Sequence, residues 1–354
     1  MAVDSTRDTR ASVRVLVTGG SGYFGEILVR RLRERGDEVR ILDRIDNPDR
    51  PAEVELVLGD IRDRATVERA VSGVEVVHHN VAQVPLAKNR GEFWSVNAEG
   101  TRTLLGASQN AGVRKLVLMS SSAVHGVPEE NPVTRDSQPR PREAYGRAKL
   151  EAENLAQQAV ERGLDVTVIR PRTILGHGRL GIFQILFEWV RQGQPLYLLG
   201  SGANRYQFVH ADDLADATIR AGDRAGPSLY LCGTDRFGTM GELLADLVEH
   251  AGTGCPIRRL PFRLTQVAMV ATSKLGLSPL GDYHALMYGR SMWFDIEDTR
   301  RELDWSPRYS NHEMICESYE WYLAHRAEVL ARHGASHHRS AVRRGILKLL
   351  DRLP

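Results

Sequence analysis

Apolar residues fall along this chain in two alternating rhythms. Short, mainly apolar runs rich in β-branched residues occupy 13–18, 38–43, 54–58, 74–78, 115–120 and 165–170, and each predicts a strand. Between them, 23–35, 64–71, 98–111 and 143–162 are apolar at every third or fourth position, the spacing of amphipathic helices. Strand alternating with helix predicts an α/β fold around a parallel, doubly wound sheet. After Arg170 the alternation breaks down. Residues 176–181 read as a loop and 182–191 as a helix leading to the glycines at 200–202, while 207–220 are expected to return to the sheet. From 239 to about 326 the pattern is mostly helical, which predicts a smaller second lobe. The expected division is 12–175 plus about 205–237 for a nucleotide-binding domain, about 176–204 plus 238–330 for a substrate lobe, and 331–354 for a tail.

Composition narrows the class. Lys and Arg number 47 against 45 Asp and Glu in 354 residues, a net charge of +2, so no global field points to nucleic acid. The three cysteines, Cys232, Cys255 and Cys316, are odd in number and far apart, which argues against a disulfide framework or a metal site and for a reducing cytoplasm. The first twelve residues lack the apolar core of a secretion signal, and no stretch approaches the roughly 20 apolar residues that span a bilayer. In the tail, Val342, Ile346, Leu349, Leu350 and Leu353 share one helical face ringed by Arg343, Arg344, Lys348 and Arg352. Such a basic amphipathic helix would rest peripherally on an anionic membrane surface, dock on its own subunit or meet a dimer mate.

Gly19, Gly22 and Gly25 stand where the first strand should turn into the first helix. A turn without side chains lets backbone approach a pyrophosphate, the helix N-terminus presents free N–H groups, and the third glycine allows close packing of helix on strand, a Rossmann-type arrangement. Asp43 ends the second strand about 20 residues later, where a carboxylate can accept from both ribose hydroxyls and would repel a 2′-phosphate. NAD is therefore expected over NADP, although the adjacent Arg44 partly offsets that repulsion.

Tyr145 and Lys149 lie four apart on the helix predicted at 143–162 and so share a face. A phenol with a pKa of about 10 is a poor base at neutral pH, but a fixed ammonium and a cationic nicotinamide would stabilise the phenolate. The run Ser120, Ser121, Ser122 closes the fourth of the parallel strand candidates that follow the cofactor turn, placing hydroxyls at the carboxyl edge of the sheet, where ligands bind in this architecture.

Together these features resemble the extended short-chain dehydrogenase/reductase family, which includes sugar-nucleotide epimerases and dehydratases and 3β-hydroxysteroid dehydrogenases. The resemblance spans roughly 13–305, through the glycine turn, Gly59-Asp60, Val96-Asn97-Ala98, the 120–126 run Ser-Ser-Ser-Ala-Val-His-Gly, Tyr145 with Lys149, Arg170-Pro171, the 208–213 run Phe-Val-His-Ala-Asp-Asp, and the 303–307 run Leu-Asp-Trp-Ser-Pro. It implies Tyr145 as acid/base, Lys149 as the residue that holds the nicotinamide ribose and lowers the tyrosine pKa, and Ser121 as the polarising hydroxyl, with Ser120 and Ser122 as close rivals. It further implies cofactor contacts from Tyr23, Phe24, Val81, Ala82, Asn97 and Pro171, an adenine held by a hydrogen bond to Asp60 and an apolar contact with Ile61, and a homodimer.

Ser121 is followed by Ser122 and Ala123 rather than the acidic pair of the 4,6-dehydratases, so the run looks like the 4-epimerases, and the expected activity is NAD-dependent epimerisation of a secondary alcohol on a small-molecule substrate, a nucleotide-activated sugar. Ser122, His125, Thr173 and Arg205 are the candidate substrate contacts. Thr173, however, stands where many such epimerases have a nucleotide-contacting Asn, Tyr206 replaces a pyrophosphate-binding Arg with Arg205 one position away, and His125 replaces a Tyr, either facing substrate or as a structural substitution. The alternative is a net dehydrogenase or ketoreductase of a sterol, cyclitol or other secondary alcohol. A non-catalytic NAD-binding regulator is a third class, disfavoured by the intact Tyr145, Lys149 and Ser121. Phe262, Tyr283, Tyr288 and Trp293 would line the pocket or fill the small lobe.

Overall fold

Each of the first six apolar runs forms a strand: Arg14–Thr18 (β1), Glu38–Asp43 (β2), Glu55–Leu58 (β3), Val76–His79 (β4), Lys115–Met119 (β5) and Val166–Pro171 (β6). The structure is a computed structural model that describes residues 11–83, 91–179, 181–274 and 287–331; the basic tail and Tyr283 lie outside the described residues. Further along are Thr173–Leu175 (β7), Leu196–Leu199 (β8), Phe208–His210 (β9), Ser228–Cys232 (β10) and Ile257–Leu260 (β11). The main sheet has seven strands in the order β10-β6-β5-β4-β1-β2-β3, all parallel. Chain direction across the sheet reverses between β1 and β4, so their carboxyl ends open the crevice where ligands bind in doubly wound sheets.

The strands are apolar on both sides because helices cover both. The described helices are Tyr23–Glu34 (α1), Arg64–Val71 (α2), Gly91–Trp94 (α3), Gly100–Asn110 (α4), Ala144–Glu161 (α5), Ile182–Arg191 (α6), Ala211–Asp223 (α7), Met240–Ala251 (α8), Phe262–Lys274 (α9), Glu297–Leu303 (α10) and Asn311–Ala331 (α11). On β1, Leu16 packs with Leu42, Val67, Leu104 and Leu155 beneath α2, α4 and α5, whereas its neighbours Val15 and Val17 pack with Leu28, Leu32 and Ala215 beneath α1 and α7. Among the described residues no helix is long and apolar enough to cross a membrane.

The expected return of 207–220 to the main sheet is corrected. Phe208–His210 pairs with Thr173–Leu175 in a separate two-stranded parallel sheet, and α7 follows it. The strand that rejoins the main sheet is β10, beside β6. Two sequence markers meet at this junction. Asp213 on α7, fully buried, accepts from the backbone N–H of Arg308 at 2.8 Å and of Tyr309 at 3.3 Å, and Trp305 Nε1 donates to the Asp213 carbonyl at 2.9 Å.

A second apolar cluster, including Phe187, Leu198, Leu244, Leu247, Tyr319 and Tyr322, joins α6, α8 and α11 around β8. At its heart Glu188 is buried and accepts from Tyr322 Oη at 2.7 Å, Arg326 Nε at 2.9 Å and Arg191 Nη2 at 2.8 Å. Burial alone would raise this carboxyl, but the hydrogen bonds from Arg326, Arg191 and Tyr322 hold it well below the ordinary range. The stability it contributes is present above the unfolded glutamate pKa of about 4.3 and is lost as pH falls through the folded value. Glu188→Gln is expected to lower stability at neutral pH by about 1–3 kcal/mol and to flatten the acid limb of a Tm-against-pH curve; an unchanged acid limb would contradict the role given to Glu188.

Candidate active site

β1 ends at Thr18, and the chain turns through Gly19 with φ +72°, a backbone that side chains disfavour. A Cβ on Gly19 would lie 3.1 Å from Val81 N, and one on Gly25 only 2.0 Å from Gly19 O, so α1 passes over the turn at a separation that admits no side chain. Gly22 is the N-cap of α1 and has no side-chain cap, which leaves first-turn N–H groups to a ligand. Phe24 is turned into the core beside Val15 and Val17, so what Tyr23, Phe24 and Gly25 offer a pyrophosphate is backbone. Asp43 closes the crevice: Oδ2 accepts from Ser21 N at 3.1 Å and Oδ1 from Arg44 N at 2.7 Å, with burial raising its pKa against those bonds. This cradle and carboxylate fit the adenosine half of a dinucleotide.

The two residues expected at the adenine have other neighbours as well. Ile61 lies in the core with its Cγ2 2.6 Å from where a Cβ of Gly100 would be. The Asp60 carboxylate is engaged by Arg62, whose Nε and Nη2 stand 2.9 and 2.6 Å away and hold its pKa down. Val81 and Ala82 follow β4 at the crevice. Asn97, buried on a π-helical turn at Ser95–Glu99, secures the next residue from both sides: its Oδ1 accepts from Gln83 N at 2.8 Å and its Nδ2 donates to Gln83 O at 3.0 Å. Pro171 closes β6 beside Cys232.

The catalytic candidates converge at the carboxyl end of β5. Glu143 caps α5, accepting from Tyr145 N at 2.7 Å and Gly146 N at 2.6 Å, and a Cβ on Gly146 would meet Ala123 O at 2.5 Å. That contact sets Tyr145 against the 3₁₀ turn Ser122–His125. Lys149, one turn further and buried, donates from Nζ to Met119 O at 2.9 Å, and burial pushes it down to about 8 against the pull of Glu153. Ser120 Oγ is committed to Glu153 Oε1 at 2.5 Å, whereas Ser121, partly exposed, accepts from Ala123 N at 3.2 Å through a hydroxyl that keeps its proton to donate. Arg179, half-buried beyond β7, stands with its guanidinium 5.5 Å from the Tyr23 ring centre, and its charge acts on Tyr145.

On the substrate side, Thr173 Oγ1 and Tyr206 Oη are 2.8 Å apart and bond to one another. Arg172, fully buried, lies 4.7 Å over the Tyr206 ring and 5.6 Å over Phe294. His125 is buried against the same Phe294, its pKa pushed down to about 3 by burial and by Arg170 and Arg172, so it stays neutral. Arg205 does not join this group: its guanidinium sits 4.8 Å from both the Phe237 and Trp293 rings. Phe262 lines a cavity of about 460 Å³, whereas Tyr288 binds the Tyr197 carbonyl at 3.0 Å within the lobe. Glu143, Glu153, Arg172 and Arg179 escaped the sequence reading. Glu153 alone carried a signal, as a carboxylate on the buried stripe of α5.

A crevice that takes a dinucleotide, with tyrosine, lysine and serine gathered at its floor, defines a cofactor-dependent α/β enzyme. The sequence profile of the NAD-dependent epimerase/dehydratase family matches residues 15–233, and the chain belongs to this family of extended short-chain dehydrogenases, with NAD as cofactor. Protein y4nG of Sinorhizobium fredii is 50% identical over 336 residues, covering 95% of this chain and 85% of that protein. A 3-beta-hydroxysteroid dehydrogenase of Mycolicibacterium neoaurum is 31% identical over 337 residues, covering 87% of this chain and 91% of the relative. Among solved structures, the UDP-glucose 4-epimerase of Thermus thermophilus in complex with NAD aligns with a TM-score of 0.71 at 27% identity, covering 88% of this chain and 99% of that one.

Gly25→Ala should reduce NAD affinity at least about tenfold and stability by about 1–3 kcal/mol, because the new methyl meets the Gly19 carbonyl. Calorimetric titration with NAD beside a thermal melt checks both, and wild-type affinity in a folded variant would refute the cradle.

Proposed function

We propose that the enzyme interconverts a secondary alcohol and its ketone as a net NAD-dependent oxidoreductase, the alternative raised by the sequence. The Thr173–Tyr206 hydrogen bond carries this reading. The two positions where nucleotide-sugar epimerases have an anchoring Asn and Arg hold two hydroxyls that satisfy each other, and the nearby Arg205 is engaged by Phe237 and Trp293. The 3-beta-hydroxysteroid dehydrogenase relative, matched over most of both chains, supports the same reading.

Tyr145 takes the hydroxyl proton of the alcohol during oxidation and returns it to the carbonyl oxygen during reduction. Ser121 donates a hydrogen bond to that same oxygen and fixes its distance from the tyrosine. Lys149, an ammonium below about pH 8, favours the phenolate form of Tyr145 and holds the nicotinamide ribose. When bound, NAD takes up the hydride from the carbinol carbon or gives it back to the ketone.

Epimerisation of an activated sugar is the second reading, favoured by the cavity of about 460 Å³ between β8 and 289–291. Asn131, Asn204, Ser201 and Arg290 give it polar walls, and Arg290 Nε is buried without a hydrogen-bond partner among the described residues, a donor suited to an anionic group.

Purified protein should release little nucleotide on denaturation, reduce added NAD with members of a panel of sterol, cyclitol and aliphatic secondary alcohols, and leave UDP- and dTDP-sugars unchanged. Tightly retained NAD with sugar interconversion would install the epimerase instead. Tyr145→Phe should lower kcat by roughly 10²–10⁴-fold while NAD affinity changes little; turnover near wild type would remove Tyr145 from the chemistry.

A further inference from the structure

One turn beyond Lys149 on the same stripe of α5 stands Glu153, buried like Arg170 at the end of β6. Arg170 grips it through two nitrogens, Nε to Oε1 at 2.9 Å and Nη2 to Oε2 at 2.5 Å, and Ser120 Oγ donates to Oε1 at 2.5 Å. On its other side Arg170 Nη1 lies 3.2 Å from His125 Nε2 and can donate to it, since that ring is neutral. A single buried cluster thus joins the helix carrying Tyr145 and Lys149 to the ends of β5 and β6 and to the turn after Ser121.

We propose that Glu153 is a positioning residue for the reaction, the fixed negative charge beneath Lys149 that keeps an ammonium beside Tyr145. This rests on the assignment of Tyr145 and Lys149 made above. An ammonium has three N–H bonds, and Met119 O takes one of them at 2.9 Å. Buried there, Lys149 loses hydration that favours its charged form, and Glu153 supplies the opposing attraction. Other ionisable groups nearby are differently employed. His79 on β4, hydrogen-bonded to Thr18 and Thr101, is pushed down to about 3 by burial and by Lys149 itself, so it is neutral. His125 is likewise neutral, Arg179 acts on Tyr145 and Tyr23, and Arg102 on α4 lies 3.7 Å from Glu151. Glu143 is spent on the N–H groups of Tyr145 and Gly146. Arg170 and Ser120 hold the Glu153 carboxylate in one orientation, as a counter-charge requires.

The test is the pH dependence of NAD affinity, measured by calorimetry on the full chain from about pH 6.5 to 9.5 for wild type, Glu153→Gln and Lys149→Met. Wild-type affinity should fall as pH rises through about 8, where Lys149 loses its proton. In E153Q the midpoint should drop by about one unit, which makes NAD binding about tenfold weaker on the alkaline limb, and K149M should show no such step. A wild-type midpoint in E153Q, with the step absent from K149M, would overturn the proposal and leave Lys149 in place. A step that persists in K149M would instead remove the assignment of Lys149 on which the proposal stands. If E153Q fails to fold, the double variant E153M/R170M replaces the pair with apolar side chains of similar length. A midpoint lower there than in R170M, which lacks only the cation, supports the proposal, and one no lower overturns it.

Discussion

The close approach of α5 to the turn after β5 is the constraint on which the rest of the site depends. Gly146 leaves no room for a side chain against Ala123 O, and Glu143 ties off the first N–H groups of the helix at the same point. Helix and strand end therefore meet at one fixed separation. That separation packs Tyr145 against Ala123, two residues past Ser121, and brings Lys149 under the Met119 carbonyl. A looser junction would leave all three side chains present and out of reach of a common substrate oxygen, and positioning errors of about 1 Å can lower rates about a hundredfold. The glycine crossing of α1 over Gly19 does for the cofactor what Gly146 does for the substrate, so both ligands are placed by missing side chains.

Sequence pattern revealed the strands and helices around that junction because they are local: β2 and α2 lie within the boundaries that apolar periodicity set. It lost the thread where pairing is long-range. β9 is three residues long and finds its partner in β7, more than thirty residues earlier, which no run length could announce. The same divide runs through the site. Gly19, Asp43, Tyr145 and Lys149 were legible because turn, strand end and helix spacing are local facts. The fates of Ile61 and Arg205 depended on what a distant segment brought to them, Gly100 in one case and Phe237 with Trp293 in the other. Among the three serines, Ser120 is committed to Glu153 on another element, a contact that spacing within the run could not show.

Charge is distributed unevenly between the two sides of Tyr145. Beneath it, Lys149, Glu153 and Arg170 alternate in sign within a buried stack. On its other side, Arg172 is held by the faces of Tyr206 and Phe294 and by Met292 Sδ at 3.1 Å, and among the described residues it meets no carboxylate and its Nε and Nη2 have no hydrogen-bond partner.

The joint at Asp213 says something about how such an enzyme changes its substrate. Its carboxylate takes the N–H groups of residues 308 and 309 and the Arg308 Nε at 2.8 Å, so the seam between α7 and the chain beyond Trp305 is made by residues that lie outside the segment between β11 and α10. A lobe attached in that way is a replaceable part. A segment grafted between β11 and α10 would leave that seam untouched, so the cofactor-binding half of the molecule could meet a new substrate without having to be rebuilt.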